Sequence, residues 1–326
     1  MGTSTKTNRR TRRGWIIVIL LAILLLGALF RFYNVNWDKG TYHIHPDERH
    51  TTMVVNAIQW PASLGEYLDT TRSPLNPRNA GSVYFYGTLP LFLTKAVAAQ
   101  ADAFLEPIRQ TGTGQIAGID IPRSLSSYDQ VHLVGRVLSA LFDLGSVLFL
   151  FFLARRLFDW RVGLIASFLL ALTVLNIQGS HYFTVDTFLT FFVLLTIWFT
   201  LDVAEGKGWP AFVGLGLAMG LTLAAKVSVF LLVIVIALGA WLRVRRKVFE
   251  GQSPRSAFLR ATGGLALAAL ISLLILRLAQ PYAWAGPNYD RYDTVPEPWG
   301  ERLRFFEAVP EPIRAAIMPN PQWIAD

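Results

Sequence analysis

The run His45-Pro46-Asp47-Glu48 sets an imidazole beside two carboxylates, with His43, Arg49 and His50 in the same stretch. A carboxylate can take a proton from a hydroxyl, an imidazole can relay one, and a guanidinium can hold an anion. Within so apolar a chain, acidic residues near a membrane face carry a cost that a task would justify. The run lies about a dozen residues past the first apolar stretch. It therefore marks a candidate active site in a loop just outside a bilayer.

The elements that must position this loop are set by composition. The chain has 326 residues, is 53% hydrophobic and 16% charged, and has a mean hydropathy of +0.40. Those values fit a polytopic helical membrane protein and exclude an ordinary soluble globule. The formal charge of +8 sits at the ends of apolar stretches. Placed there it orients spans, and it forms no separate basic surface for nucleic acid. Cysteine is absent, which excludes disulfides, thiolate metal sites and a cysteine nucleophile.

Seven spans are expected: Trp15 to Phe32, Val131 to Ala154, Val162 to Gln178, Phe183 to Val203, Phe212 to Ala225, Val227 to Leu242 and Leu265 to Leu278. The fold class is all-α. Arg9, Arg10, Arg12 and Arg13 precede the first span and predict a cytoplasmic amino terminus and an uncleaved anchor. Alternation then puts Arg155, Arg156 and Arg161, the turn near Lys207, and the cluster Arg243, Arg245, Arg246 and Lys247 on the cytoplasmic side. This agreement requires that the apolar stretch Tyr84 to Ala99 not cross. With Pro90 and Lys95 inside it, the stretch is expected to be membrane-parallel or re-entrant.

Residues 34 to 130 then form one long extracytoplasmic loop, with turn chemistry at Ser73-Pro74-Leu75-Asn76-Pro77 and a glycine-rich linker from Thr111 to Gly118. Residues 1 to 279 form the membrane module. Residues 280 to 326 form a further outer segment rich in Pro, Trp and Tyr. On the same outer side lie the turn Gly179 to Asp186, the turn Ala225 to Ser228, the end of the last span from Arg277 to Tyr282, and all five histidines. Lys226 and Arg277 are expected at that interface, as a basic floor beneath the acidic loop.

This order of features resembles the C-type glycosyltransferase superfamily, closest to the branch of protein O-mannosyltransferases and aminoarabinose transferases known as family 39. Three stretches carry the resemblance: His45-Pro46-Asp47-Glu48 after the first span; Gly135-Arg136-Val137-Leu138-Ser139-Ala140 through the basic turn Ala154-Arg155-Arg156-Leu157-Phe158; and the outer turn His181 to Asp186. Each stretch alone is weak, and their order and spacing over nearly the whole chain carry the weight.

The resemblance implies transfer of a sugar from a polyprenyl-phosphate donor to a protein or lipid hydroxyl on the outer face, with the plasma membrane the expected location. Asp47 is the implied general base, giving inversion in a single displacement. Glu48 would orient the loop or Arg49, and Asp186 is the further candidate catalytic carboxylate. Lys226 and Arg277 would hold the donor phosphate, and Arg49 and His181 are the other candidate substrate contacts. No nucleotide-binding fold is visible.

Each residue also has a plainer reading. Asp47 and Glu48 could open a helix after Pro46, Asp186 could cap one, Lys226 could snorkel to headgroups and Arg277 could pair with another helix. Arg136 and Asp143 share a helix face and are expected to organise the bundle. The histidines lack a tight ligand pattern such as His-x-x-x-His, so no metal ligands are assigned and a divalent metal is left open. Members of the family usually have more spans and a carboxy-terminal outer domain, so a truncated frame or a module needing a partner is an expectation here. An inactive scaffold and a transporter are the rival readings; a transporter would carry its charges along a path across the bilayer.

Overall fold

The computed structural model describes residues 4–41, 44–82, 84–110, 115–116, 119–284 and 309–320. The central element is a helix of 30 residues, α5 (Tyr128–Leu157), preceded by α1 (Ser4–Phe32), α2 (Pro46–Ala57), α3 (Leu64–Leu68) and α4 (Leu89–Gln110). It is followed by α6 (Trp160–Leu172), α7 (Val174–Ser180), α8 (Asp186–Ala204), α9 (Trp209–Ala225), a 3₁₀ turn (Val227–Leu231), α10 (Leu232–Phe249), α11 (Pro254–Ala279) and α12 (Glu311–Ile317). Gln115–Ile116 and Ile119–Asp120 pair as a minimal antiparallel hairpin. The other positions of the expected linker, and residues 285–308 and 321–326 of the outer segment, lie outside the described residues.

Apart from that hairpin the described residues are helices and their connections, and the chain is a polytopic membrane protein of the expected all-α class. Each of the seven expected spans is helical, but they are not seven alike. Among the described residues, five helices are long and apolar enough to cross, and α6 with α7 adds a sixth as a pair bent by 58° at Thr173. At 17 residues α9 is the short one, about 25 Å long where a hydrocarbon core is about 30 Å. The stretch from Tyr84 becomes helix only at Leu89, so Pro90 falls in the first turn of α4, where a missing N–H costs nothing. Its 22 residues do not have the apolar composition of a span.

Packing explains the polar residues buried in apolar helices. One face of α5 presents Gly135, Arg136, Ser139, Ala140, Asp143, Ser146 and Val147 to its neighbours, all buried, at the three- and four-residue spacing of a single stripe. On one side α1 and α6 pack around Ile23, Val147, Phe151 and Leu164. On the other, α8 packs through Phe188 and Phe192, where α4 also lays Leu89, Leu93 and Val97 against Leu138 and Ala225.

A second set joins α9 to α11. Cβ atoms built at Gly216 and Gly220 would lie 2.5 Å from the Ala268 carbonyl and 2.7 Å from Ile275, and one at Gly264 would lie 2.4 Å from the Phe212 ring. Contacts that advance together along both helices make the pair parallel. Both helices therefore start on one face of the bundle and end on the other, with Lys226 and Arg277 near their ends.

Candidate active site

Two buried guanidinium clusters hold the loop after α1. Arg31, fully buried in the last turn of α1, pairs with Asp143 at 2.6 Å and donates to the carbonyls of Gly27, Ala171 and Leu170. Asn176 of α7 donates to the other Asp143 oxygen. Two residues past α1, Asn34 takes the left-handed conformation with φ of 53°, which Asn tolerates and which turns the chain out of the helix.

Two turns earlier on α5, Arg136 binds two carboxylates at once. It reaches Asp38 at 2.7 and 2.9 Å and Glu48 at 2.7 and 2.6 Å, and it also donates to the Val35 carbonyl. All three charged side chains are fully buried. The hydrogen bonds from the Arg136 guanidinium hold the Asp38 carboxyl below the usual carboxylate range, against the opposing effect of burial.

These anchors fix the start of α2. His45 is its N-cap position, Pro46 opens the helix with a preset φ, and Asp47 and Glu48 lie in the first turn, where the helix dipole favours negative charge. Successive helical residues point about 100° apart. Glu48 thus turns inward to Arg136 while Asp47 stays exposed. The second acceptance by Glu48, from the Phe183 amide at 2.8 Å, ties α2 to the turn between α7 and α8. A Cβ built at Gly135 would lie 2.1 Å from the Phe183 ring, so that glycine is what lets the turn sit so close to α5.

A cleft of about 480 Å³ opens between α2, α7 and α8, lined by His45, Asp47, Asn176, Tyr182, Asp186 and Thr187, among others. The His45 and Tyr182 rings lie 4.5 Å apart, and Trp37 meets Tyr182 edge-on. Asp186 is the first residue of α8 and is mostly exposed, with Lys226 Nζ 3.2 Å from its carboxylate. That ammonium also sits 5.3 Å from the centre of the Tyr86 ring. Beside them, burial pushes the Tyr84 phenol far above its usual range, and the nearby negative charges of Asp186 and Asp47 push the same way. Among the described residues, no group of three or more His, Cys, Asp or Glu is placed to hold a metal ion.

Of the residues singled out in the sequence, the cleft brings together Asp47 and Asp186, with Lys226 at the edge through Asp186. Glu48 does not line it, and its partner is Arg136 in place of the expected Arg49. Arg49 is exposed. His181 turns both ring nitrogens to main-chain carbonyls, those of Ile177 at 2.8 Å and Tyr33 at 3.0 Å, and anchors the turn without lining the cleft.

Arg277 donates to the Pro281 carbonyl, in the polar cluster where Ser73 and Tyr282 share a hydrogen bond and Tyr67 donates to the Leu278 carbonyl. The floor expected between Lys226 and Arg277 is crossed by protein. Gly87 donates to the Ala225 carbonyl, and the next residue, Thr88, donates to Gln280 and to the Ala279 carbonyl. His43 lies outside the described residues. Asp38 and Arg31 were not singled out in the sequence. The one signal for Arg31 was a charge within the last turn of an apolar span.

Residues 128–276 match the family of dolichyl-phosphate-mannose-protein mannosyltransferases. No curated protein matches the chain. A solved structure of the S. cerevisiae protein O-mannosyltransferase Pmt1-Pmt2 complex bound to the sugar donor matches with a TM-score of 0.55 at 14% identity, covering 81% of this chain and 33% of that one. The chain thus spans about a third of the length of the protein it resembles. The matched segment includes Arg136, Asp143, Asp186 and Lys226. The chain is thus similar to the dolichyl-phosphate-mannose-protein mannosyltransferase family over residues 128–276, and it shares a fold with that solved structure.

Proposed function

We propose that this chain transfers a sugar, mannose-like in class, from a polyprenyl-phosphate donor to an acceptor hydroxyl of a protein or lipid, with Asp47 as general base. The observation that carries the reading is the unequal state of two carboxylates in one cleft. Asp186 is paired with Lys226, whereas Asp47 is exposed and forms no ion pair among the described residues. The unpaired one is the better proton acceptor.

The acceptor oxygen attacks the anomeric carbon as its proton passes to Asp47. The bond from that carbon to the phosphate oxygen breaks, and the lipid phosphate leaves with the electron pair, inverting the configuration. Lys226 stands where negative charge grows on the leaving phosphate, which is where a fixed cation lowers the barrier. An apolar groove of about 370 Å³ between α9, α10 and α11, lined by Met219, Leu223, Val233, Ile236 and Leu273, is wide enough for an isoprenoid tail. Leu223 lies three residues before Lys226, so a lipid in the groove would bring its phosphate up to that ammonium. Arg277 would serve from the other side of the Tyr86 to Thr88 segment, and Arg49 from the exposed rim. The amino terminus is cytoplasmic, the cleft faces outward, and the membrane is the plasma membrane.

The test is transfer from radiolabelled polyprenyl-phosphate sugars in wild type and Asp47→Asn. Transfer should fall by roughly 10² to 10⁴ with donor binding preserved. Near-normal transfer in Asp47→Asn with loss in Asp186→Asn would move the base to Asp186.

A further inference from the structure

The face of the bundle opposite the cleft carries an unbalanced positive charge. There α9 and α11 begin side by side, and their first turns enclose a hollow of about 410 Å³ lined by Trp209, Ser253, Arg255, Ser256, Leu259 and Arg260. Neither Arg255 nor Arg260 has a carboxylate partner among the described residues. The carboxylates on this face are already engaged. Asp202 and Glu205 bind Arg156 and Lys207, Glu250 binds Arg246 and Lys247, and Asp159 caps α6.

Behind the hollow the imbalance deepens. Arg243 is 9% exposed, donates to the carbonyls of Val203 and Lys207 with no carboxylate partner among the described residues, and stacks at 5.1 Å on Phe212, whose ring in turn packs on Trp209. The parallel arrangement of α9 and α11 adds the positive ends of two helix dipoles on the same side. Trp209 is 57% exposed, and Phe258 and Leu259 are each 58% exposed on the same rim. An indole and two apolar side chains beside unpaired arginines fit the level where headgroups meet acyl chains.

We infer that this hollow binds the phosphodiester headgroup of an acidic phospholipid, with the phosphate between Arg255 and Arg260 and one chain along Phe258 and Leu259. Arginine suits the task because its fork reaches two phosphate oxygens at once. Basic pockets between spans on the cytoplasmic side are a recurring way to hold acidic headgroups. The site lies at the opposite ends of α9 and α11 from the transfer cleft, so its occupancy can be measured without any transferase activity.

The experiment is native mass spectrometry of the full chain purified in detergent with equal amounts of phosphatidylglycerol and phosphatidylcholine. Wild type should retain phosphatidylglycerol in preference, and Arg255→Gln with Arg260→Gln should weaken that preference by about fivefold for each arginine removed. Arg245→Gln removes the same charge outside the hollow, where Arg245 stacks on Trp241, and should leave the preference unchanged. If the glutamine pair fails to fold, Arg255→Lys with Arg260→Lys keeps the charge and should retain part of the preference. Equal retention of both lipids by wild type would overturn the inference, as would an unchanged preference in the glutamine pair or an equal loss in Arg245→Gln. Displacement of the lipid by inorganic phosphate alone would reassign the hollow to free anions and overturn the lipid assignment.

Discussion

Replacing Glu48 by Gln changes one oxygen to an amide nitrogen in a fully enclosed place. The carboxylate accepts three hydrogen bonds, two from Arg136 at 2.7 and 2.6 Å and one from the Phe183 amide at 2.8 Å. Glutamine has one acceptor oxygen, so at best it keeps one partner from each neighbour and turns its NH₂ against a guanidinium N–H. Removing one side of a buried ion pair costs about 3 to 5 kcal/mol. Because Asp38 remains on Arg136, the lower end applies, about 3 kcal/mol, or roughly two powers of ten in the folded-to-unfolded ratio.

The assay is unfolding of the purified chain in mild detergent by stepwise addition of dodecyl sulfate. Asp47→Asn, one residue away but exposed, should unfold within about 0.5 kcal/mol of wild type. In the Arg136→Gln background the Glu48 substitution should cost far less, since its main partner is already gone. If Glu48→Gln unfolds with wild type, or adds its full cost to Arg136→Gln, the clamp is not what holds α2 and the reasoning fails.

Further outcomes follow from other parts of the same architecture. Asp38 is held below its ordinary range, so its stabilisation is complete above the unfolded value near pH 4 and is lost as pH falls toward the lowered folded value; acid should destabilise wild type more steeply than Asp38→Asn, read by the same unfolding assay across that window. Lys226→Ala should weaken binding of a polyprenyl-phosphate sugar in a direct binding assay more than Arg277→Ala does, because Lys226 edges the cleft and Arg277 lies beyond Gly87 and Thr88; the opposite ranking would place the phosphate on the far side. Gly135→Ala should cost about 1 to 3 kcal/mol on unfolding by driving a methyl into the Phe183 ring, and a neutral result would mean that the turn shifts freely. A cysteine at Ser63 should react with an impermeant reagent in intact cells while one at Arg255 reacts only after permeabilisation, and labelling of both from outside would reverse the orientation.

Much of the helical framework was legible because lipid imposes a simple code. Long apolar runs had to be helices, and of the plainer readings of Asp47 and Glu48 the structure has the helix start after Pro46, where the proline ring is tolerated. The end of α9 at Ala225 was read correctly, whereas its start was placed three residues late, because Trp209-Pro210-Ala211 forms the first turn with Pro210 at a position where its ring is tolerated. The choice of Asp47 over Glu48 came from the resemblance, and the residues themselves carried no signal for it. Adjacent carboxylates look alike in sequence, and which one turns inward depends on Arg136, 88 residues along from Glu48, and on Asp38, which no motif marked. The pairing of Arg31 with Asp143 spans 112 residues and is likewise set by tertiary packing, not by periodicity. Arg136 and Asp143 were readable as organisers of the bundle because charge on a buried helix face must find a partner.

The glycine contacts between α9 and α11 have a mechanical consequence. Phe212 seats on Gly264, and Gly216 and Gly220 seat against Ala268 and Ile275, so the two helices mesh like the teeth of a rack. A slide of an ångström or two would push side chains onto backbone. The next meshed setting lies four residues away, about 6 Å. The relative height of Lys226 and Arg277 at the far ends is therefore not continuously adjustable: it is held at one notch. A membrane that thickens or thins around the protein can tilt this pair of helices as a unit but cannot shear them past each other.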